Sequence, residues 1–123
     1  MLRDAIHKYK KSVESDSWPN VNWKIVGLTL WGNRNIDGEM KAADKLVVEY
    51  EYQLKETVYQ NRVVAFYTLM YPETTEFAED HPIESIVTVY YNPAKPSESI
   101  LLPGPRKGSK RYSDLTLGII GTL

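Results

Sequence analysis

Apolar and polar side chains alternate over residues 45–54, with Val48, Tyr50, Tyr52 and Leu54 on one side and Glu49, Glu51 and Gln53 on the other. A period of two is that of a β-strand with one buried and one wetted face, the usual condition of an antiparallel sheet. Residues 58–69 read as the next strand, and the two should form a hairpin. The connection, KET, lacks the glycine or asparagine that a tight primed turn prefers, so a slightly longer loop is expected. Residues 23–31, WKIVGLTLW, are dense in β-branched and aromatic side chains and predict a strand, with Gly27 marking a bulge or a close crossing. A polar loop, GNRNIDGEMKAAD, should follow it. Residues 86–91 predict a fourth strand and residues 99–102 a short fifth.

Two segments change period. Over residues 2–13, Leu2, Ile6, Tyr9 and Val13 recur at helical spacing with lysines between them, which predicts an amphipathic helix. The stretch SDSWPN breaks it, because proline ends a helix and restricts the residue before it. PETTEFAEDH, between Tyr71 and Pro82, starts with proline and carries acids in its first turn, as a short helix does. Strands that follow one another this closely, with one internal helix, predict a mostly β (α+β) domain: a small antiparallel sheet or barrel of about five to six strands. The organisation is a helical flank at 1–16, a β domain at 17–104, and a basic flank with an apolar tail at 105–123.

A length of 123 residues suits one domain, and 42% hydrophobic with 25% charged residues suits a folded one. The chain has no cysteine, which removes disulfides, thiolate nucleophiles and cysteine zinc sites together. Its two histidines, His7 and His81, are too few for a histidine-rich metal site.

The net charge of -1 conceals segregation. Residues 1–12 and residues 106–123 are each net +3, through Arg3, Lys8, Lys10 and Lys11 at one end and Arg106, Lys107, Lys110 and Arg111 at the other, while the middle is net -7. An acidic body is a poor surface for phosphates, so no nucleic-acid partner is expected. The nine tyrosines and three tryptophans are accordingly better read as core and sheet-face packing than as base-stacking platforms. The basic ends suit anionic lipid headgroups. MLRDAIHKYKK has no apolar core of a signal peptide, and nothing approaches the roughly 20 apolar residues of a membrane span. The tail DLTLGIIGTL, directly after RKGSKR, has two readings. It is either a short strand or ordered tail packed on the domain, or the first turns of a membrane helix with the basic cluster on its cytoplasmic flank.

Candidate chemistry is sparse. Asn33, Asn35, Asp37, Gly38 and Asp44 approximate the spacing of a calcium loop, with Asn33 in place of the usual aspartate and Asp44 in place of the bidentate glutamate. The plainer reading is a polar hairpin connection in which Asp37-Gly38 makes a turn. Glu49 and Glu51 share a strand face about 7 Å apart, as acid-base pairs can, but their alternation with tyrosines fits a solvated sheet face better. Glu76, Glu79 and Asp80 read as the wet face of a short helix, and His81 stands without catalytic neighbours. No catalytic residue and no cofactor is expected.

The stretch VTVYYNPAKPSESILLPG at residues 87–104 resembles the closing signature of the proteins grouped as domain of unknown function 3592. There a Val-x-Val-Tyr strand meets a Tyr-Asn/Asp-Pro-x-x-Pro bend and an apolar run ending Pro-Gly. The matching positions are Val87, Val89, Tyr91, Asn92, Pro93, Pro96, Leu101, Leu102, Pro103 and Gly104. Trp18 and Pro19 resemble the family's approach to its first strand, and Tyr50, Tyr52, Tyr59 and Arg62 its central hairpin. The family often has glycine in the hairpin turn and before the Val-x-Val-Tyr strand, where this chain has Glu56 and Glu84. The resemblance implies architecture and a setting beside membrane helices, which favours the membrane reading of the tail, and it implies no activity. The expectation is a non-catalytic accessory or interaction domain associated with a membrane. Its partners would be protein, a membrane surface or an adjoining membrane helix, on the cytoplasmic side of the membrane or in the cytoplasm. The alternative is a soluble protein-binding module, such as a toxin-neutralising immunity protein whose acidic surface masks a basic target. A calcium-binding or hydrolytic protein comes third.

Overall fold

Asp37 and Gly38 both take positive φ, 53° and 86°, the backbone of a two-residue primed turn. They join the two longest strands of the computed structural model, β1 (Asn20–Ile36) and β2 (Glu39–Leu54). The ladder runs Ile36↔Glu39, Asn35↔Met40, Arg34↔Lys41 and Asn33↔Ala42, and passes an irregularity between Trp31 and Asn33. The stretch expected to be a polar loop is therefore strand. Its turn chemistry and the free hydrogen bonding of one strand to the other outweigh its polar composition, because a two-stranded ribbon needs no buried face at its tip.

The structure describes residues 2–106, with side chains from residue 6 onward. Around the long hairpin stand α1 (Leu2–Ser15), β3 (Thr57–Asn61), α2 (Glu73–Asp80), β4 (Ile86–Asn92) and β5 (Lys95–Ile100). All pairs are antiparallel, in the order β3-β2-β1-β4-β5. The described residues form a mostly β domain with one five-stranded sheet and two helices, as expected, but the sheet is not a closed barrel. The edge strands β3 and β5 share no ladder; side chains cross between them instead.

Three boundaries differ from the sequence reading. Leu54 pairs with Thr57, so the β2–β3 connection is a two-residue turn with Lys55 at φ 56°, not a longer loop. A non-glycine residue tolerates this conformation at a cost of about 1 kcal/mol, which the adjoining ladder supplies. The strand expected over 58–69 stops at Asn61. There the Asn61 carboxamide oxygen accepts from the amides of Arg62 (2.8 Å) and Val63 (3.4 Å), and the chain leaves the ladder as a strap over residues 62–70. The fifth strand begins at Lys95 rather than at residue 99. Pro93-Ala94 forms the hairpin turn, with Asn92 paired to Lys95 and the Asn92 oxygen accepting from the Ala94 amide at 2.9 Å.

One face of the sheet carries the core. Ile25, Val48, Tyr50, Tyr52, Val87 and Val89 point to it, and Phe77 of α2 and Leu101 close it. α2 is tied to the long hairpin by the Thr74 hydroxyl, which donates to the Ala43 carbonyl. The strap is tied to the chain after β5, since the Val64 carbonyl accepts from the amides of Leu101 (2.9 Å) and Leu102 (2.8 Å). Tyr50 and Tyr52 of β2 are fully buried with their hydroxyls satisfied, the condition under which a tyrosine belongs in a core.

Candidate functional site

A surface helix ordinarily turns its apolar stripe to the core. α1 does the reverse. Ile6, Tyr9 and Val13, at helical spacing on one side, remain 47%, 62% and 46% exposed, while Ser12 and Ser15 are buried. The small hydroxyl residues let the helix approach the body closely and satisfy themselves locally. Ser12 donates to the Tyr9 carbonyl and Ser15 to the Ser12 carbonyl, both at 2.6 Å, and the Ser15 oxygen accepts from the Gly104 amide at 2.9 Å. Gly104 has φ 84°, and any side chain there would run into the Asp16 carboxylate. The closing glycine of the family-like motif is thus the seat of the C-terminal end of α1.

A second tie orients the helix. Lys11 donates to Glu98 of β5 at 2.7 Å, and Asn92 donates to the same oxygen at 3.1 Å. Partial burial pushes the Glu98 carboxyl up, but the two hydrogen bonds and the lysine charges outweigh it and hold the group below the ordinary carboxylate range.

The same arrangement brings Lys8 and Arg106, one basic residue from each end of the chain, to one groove. Lys8 and Tyr9 of α1, Phe66 and Tyr67 of the strap, and Pro105 and Arg106 line one open groove of about 380 Å3. Arg106 lies over the Tyr67 ring, 5.7 Å from its centre, and pairs with Glu73 at the start of α2. Burial raises the Tyr67 phenol, the Glu73 charge adds to that, and Arg106 acts against both. Lys8 and Lys10 are exposed on the helix. Charges that lie a hundred residues apart in sequence thereby share one side of an otherwise acidic body.

The residues singled out in the sequence have these places in the fold. Trp18 is buried edge-to-face on Phe66, with ring centres 5.7 Å apart, and the Pro19 carbonyl accepts from the Tyr91 amide at 3.0 Å. Tyr52 stacks on Tyr59 at 5.2 Å and donates to the Pro96 carbonyl at 2.7 Å, so Pro96 contributes its oxygen where it has no amide to offer. Pro103 precedes the Gly104 seat. Arg62 pairs with Glu49 at 2.6 Å on the outer face of the sheet. His81 stacks on Phe77 at 4.1 Å and its ring nitrogen lies 3.0 Å from the Phe77 carbonyl, ending α2.

The calcium-like set is spread along the ribbon rather than gathered. The Asn35 oxygen accepts from the Gly38 amide at 3.0 Å, Asn33 stands opposite Ala42, and Asp44 is held by the Arg34 guanidinium at 2.8 Å. Among the described residues no group of three or more His, Asp or Glu side chains is placed to hold a metal ion. Sequence reasoning missed Phe66 and Tyr67 as groove residues, having assigned them to a strand. The only signal was Asn61, a residue whose side chain competes with the backbone ladder.

No helix among the described residues is long and apolar enough to cross a membrane. The apolar tail and Lys107, Lys110 and Arg111 lie outside the described residues. No curated protein and no solved structure matches the chain. A family model does, that of "Domain of unknown function (DUF3592)", over residues 26–106. This span takes in the long hairpin from residue 26 onward, the strap, α2 and the β4–β5 hairpin with its Pro-Gly ending, and the chain belongs to that family.

Proposed function

We propose that the chain is a non-catalytic accessory domain that works at the cytoplasmic side of a membrane, with the side of α1 and Arg106 turned to the lipid. The observation that carries this reading is the convergence of Lys8 with Arg106 in one groove, from which the sequence RKGSKR continues. Each basic residue near an anionic surface contributes about 1 kcal/mol of attraction, which falls off over the screening length. The acidic body opposes any other orientation. Flotation of the full chain with phosphatidylserine vesicles tests it. Binding that weakens steeply with salt and is absent on phosphatidylcholine vesicles supports the reading; a protein left in the soluble fraction on both refutes it.

A soluble protein-binding module is the second reading, favoured by the ribbon, which carries Trp31 and Met40 exposed. Large apolar side chains on a free ribbon suit a partner surface better than water. A pull-down with Trp31→Ser separates the two: loss of a stoichiometric partner favours this module, and unchanged vesicle binding favours the first reading.

A further inference from the structure

The inverted amphipathicity of α1 specifies how such a surface would be met. Resting on the proposed membrane setting, we propose that the stripe Ile6, Tyr9 and Val13 inserts among the acyl chains of an anionic leaflet, so that α1 lies in the interface plane. Three features choose this occupant. The helix is already fixed to the body by its polar face, through Ser15 to Gly104 and Lys11 to Glu98, so the apolar stripe is the face left over. Lys10 follows Ile6 by four residues and precedes Val13 by three, which places a cation on the border of the stripe, where its stem can lie along lipid and its ammonium reach the phosphates. Lys8 is a second exposed cation of the helix, and with Arg106 it lines the groove that Tyr9 and Tyr67 also line. An apolar stripe bordered by a cation on a helix with further exposed lysines is the pattern of an interfacial helix, which sinks roughly 5–10 Å into the headgroup boundary.

The chain has no cysteine, so single variants take one label at one place. Ile6→Cys, Val13→Cys and, as a control, Met40→Cys are each labelled with an environment-sensitive nitrobenzoxadiazole and mixed with phosphatidylserine vesicles. Insertion predicts a blue shift and quenching by doxyl-lipids at positions 6 and 13 and neither at 40. It also predicts that Ile6→Ser combined with Val13→Ser weakens vesicle binding at least about tenfold. Binding without the shift overturns insertion and leaves the electrostatic reading standing. No binding overturns both. A concentration-dependent shift without vesicles assigns the stripe to a second copy of the chain, and also overturns insertion.

Discussion

The Tyr50 hydroxyl lies 2.9 Å from the Ser99 hydroxyl and so joins β2 to β5 across the open side of the sheet. The protons along this bridge can be assigned. Tyr50 has one, and it goes to the Val63 carbonyl at 2.7 Å; Asn61 donates to the Ser99 oxygen at 2.8 Å; the Ser99 proton is left to donate to Tyr50. A directional chain therefore runs from Asn61 through Ser99 and Tyr50 to the strap, doing with side chains what a closed barrel does with a ladder. Tyr50→Phe should leave the Val63 carbonyl without its donor and the Ser99 proton without its acceptor, and cost about 2–3 kcal/mol by urea denaturation. Ser99→Ala should cost about 1–2 kcal/mol, and the double variant less than the sum, because both remove the same chain.

Burial is the largest influence on the Tyr50 phenol and pushes its pKa far above the ordinary value. A raised pKa in the folded state means the native chain holds its proton where the unfolded chain releases it. The stability this group provides is complete below about pH 10 and is lost as pH rises beyond it. Alkaline unfolding followed by circular dichroism should consequently be less steep with pH in Tyr50→Phe than in the parent.

These contacts explain why some of the fold was legible and some was not. The alternation around Tyr50 and Tyr52 exposes its period directly, as does the valine pattern of residues 87–89, because burial on one face selects the residue type. The extension of the hairpin over residues 32–44 was hidden, since its ordering comes from cross-strand hydrogen bonds and the positive φ of Asp37 and Gly38. The loss of the strand after Asn61 was hidden for a related reason: Asn61 turns the chain out of the ladder locally, but the partners that hold Asn61 and the strap in place, Ser99 and Leu101, lie far away in sequence. The direction in which α1 turns its stripe is a matter of docking. Periodicity shows that a helix has two faces; Gly104 and Glu98 decide which of them is covered.

Glu84 adopts φ 73° at a position where the family often has glycine. Its amide donates to the Ile25 carbonyl at 2.8 Å, so the conformation is fixed by the ladder, and its 3.7 Å pair with Lys24 is exposed. Glu84→Gly should stabilise the chain by about 1 kcal/mol, the relief of left-handed strain exceeding the loss of a surface pair. Gly104→Ala should do the opposite, by at least about 1–2 kcal/mol, and also loosen α1. Thermal melts and amide exchange over residues 6–15 measure both.

Glu98 gives the acid limb. Because its folded pKa is lowered, the stability it contributes is present above the ordinary carboxylate value and is lost as pH falls through that range to the folded value. Glu98→Gln should cost about 1 kcal/mol near neutrality and flatten stability against pH on the acid side. Lys11→Met should behave similarly, since it removes the main hydrogen-bond donor to the same oxygen.

Millimolar calcium should leave the melting temperature unchanged. Asp44, one of the four candidate ligands, already holds the Arg34 guanidinium, whose charge repels a divalent ion, and Arg34 is further placed over the Tyr71 ring at 5.0 Å. A rise of several degrees would show that the ribbon rearranges to gather its oxygens and would restore the calcium reading.

The two faces of α1 should answer differently to substitution in water. Ile6→Ser combined with Val13→Ser removes apolar surface that is about half exposed, and no described contact holds either side chain in the core. Their loss should change stability by no more than about 0.5 kcal/mol. Ser15→Val acts on the covered face: it removes the acceptor of the Gly104 amide and adds bulk where the helix meets the body. Overpacking and the unpaired amide together should cost about 2–4 kcal/mol. Were the stripe instead packed against another part of the same chain, the Ile6 and Val13 pair would destabilise by several kcal/mol without any vesicle present. A urea melt of the two variants side by side therefore decides whether the apolar side of α1 faces outward in the free protein, the condition on which its insertion into a leaflet depends.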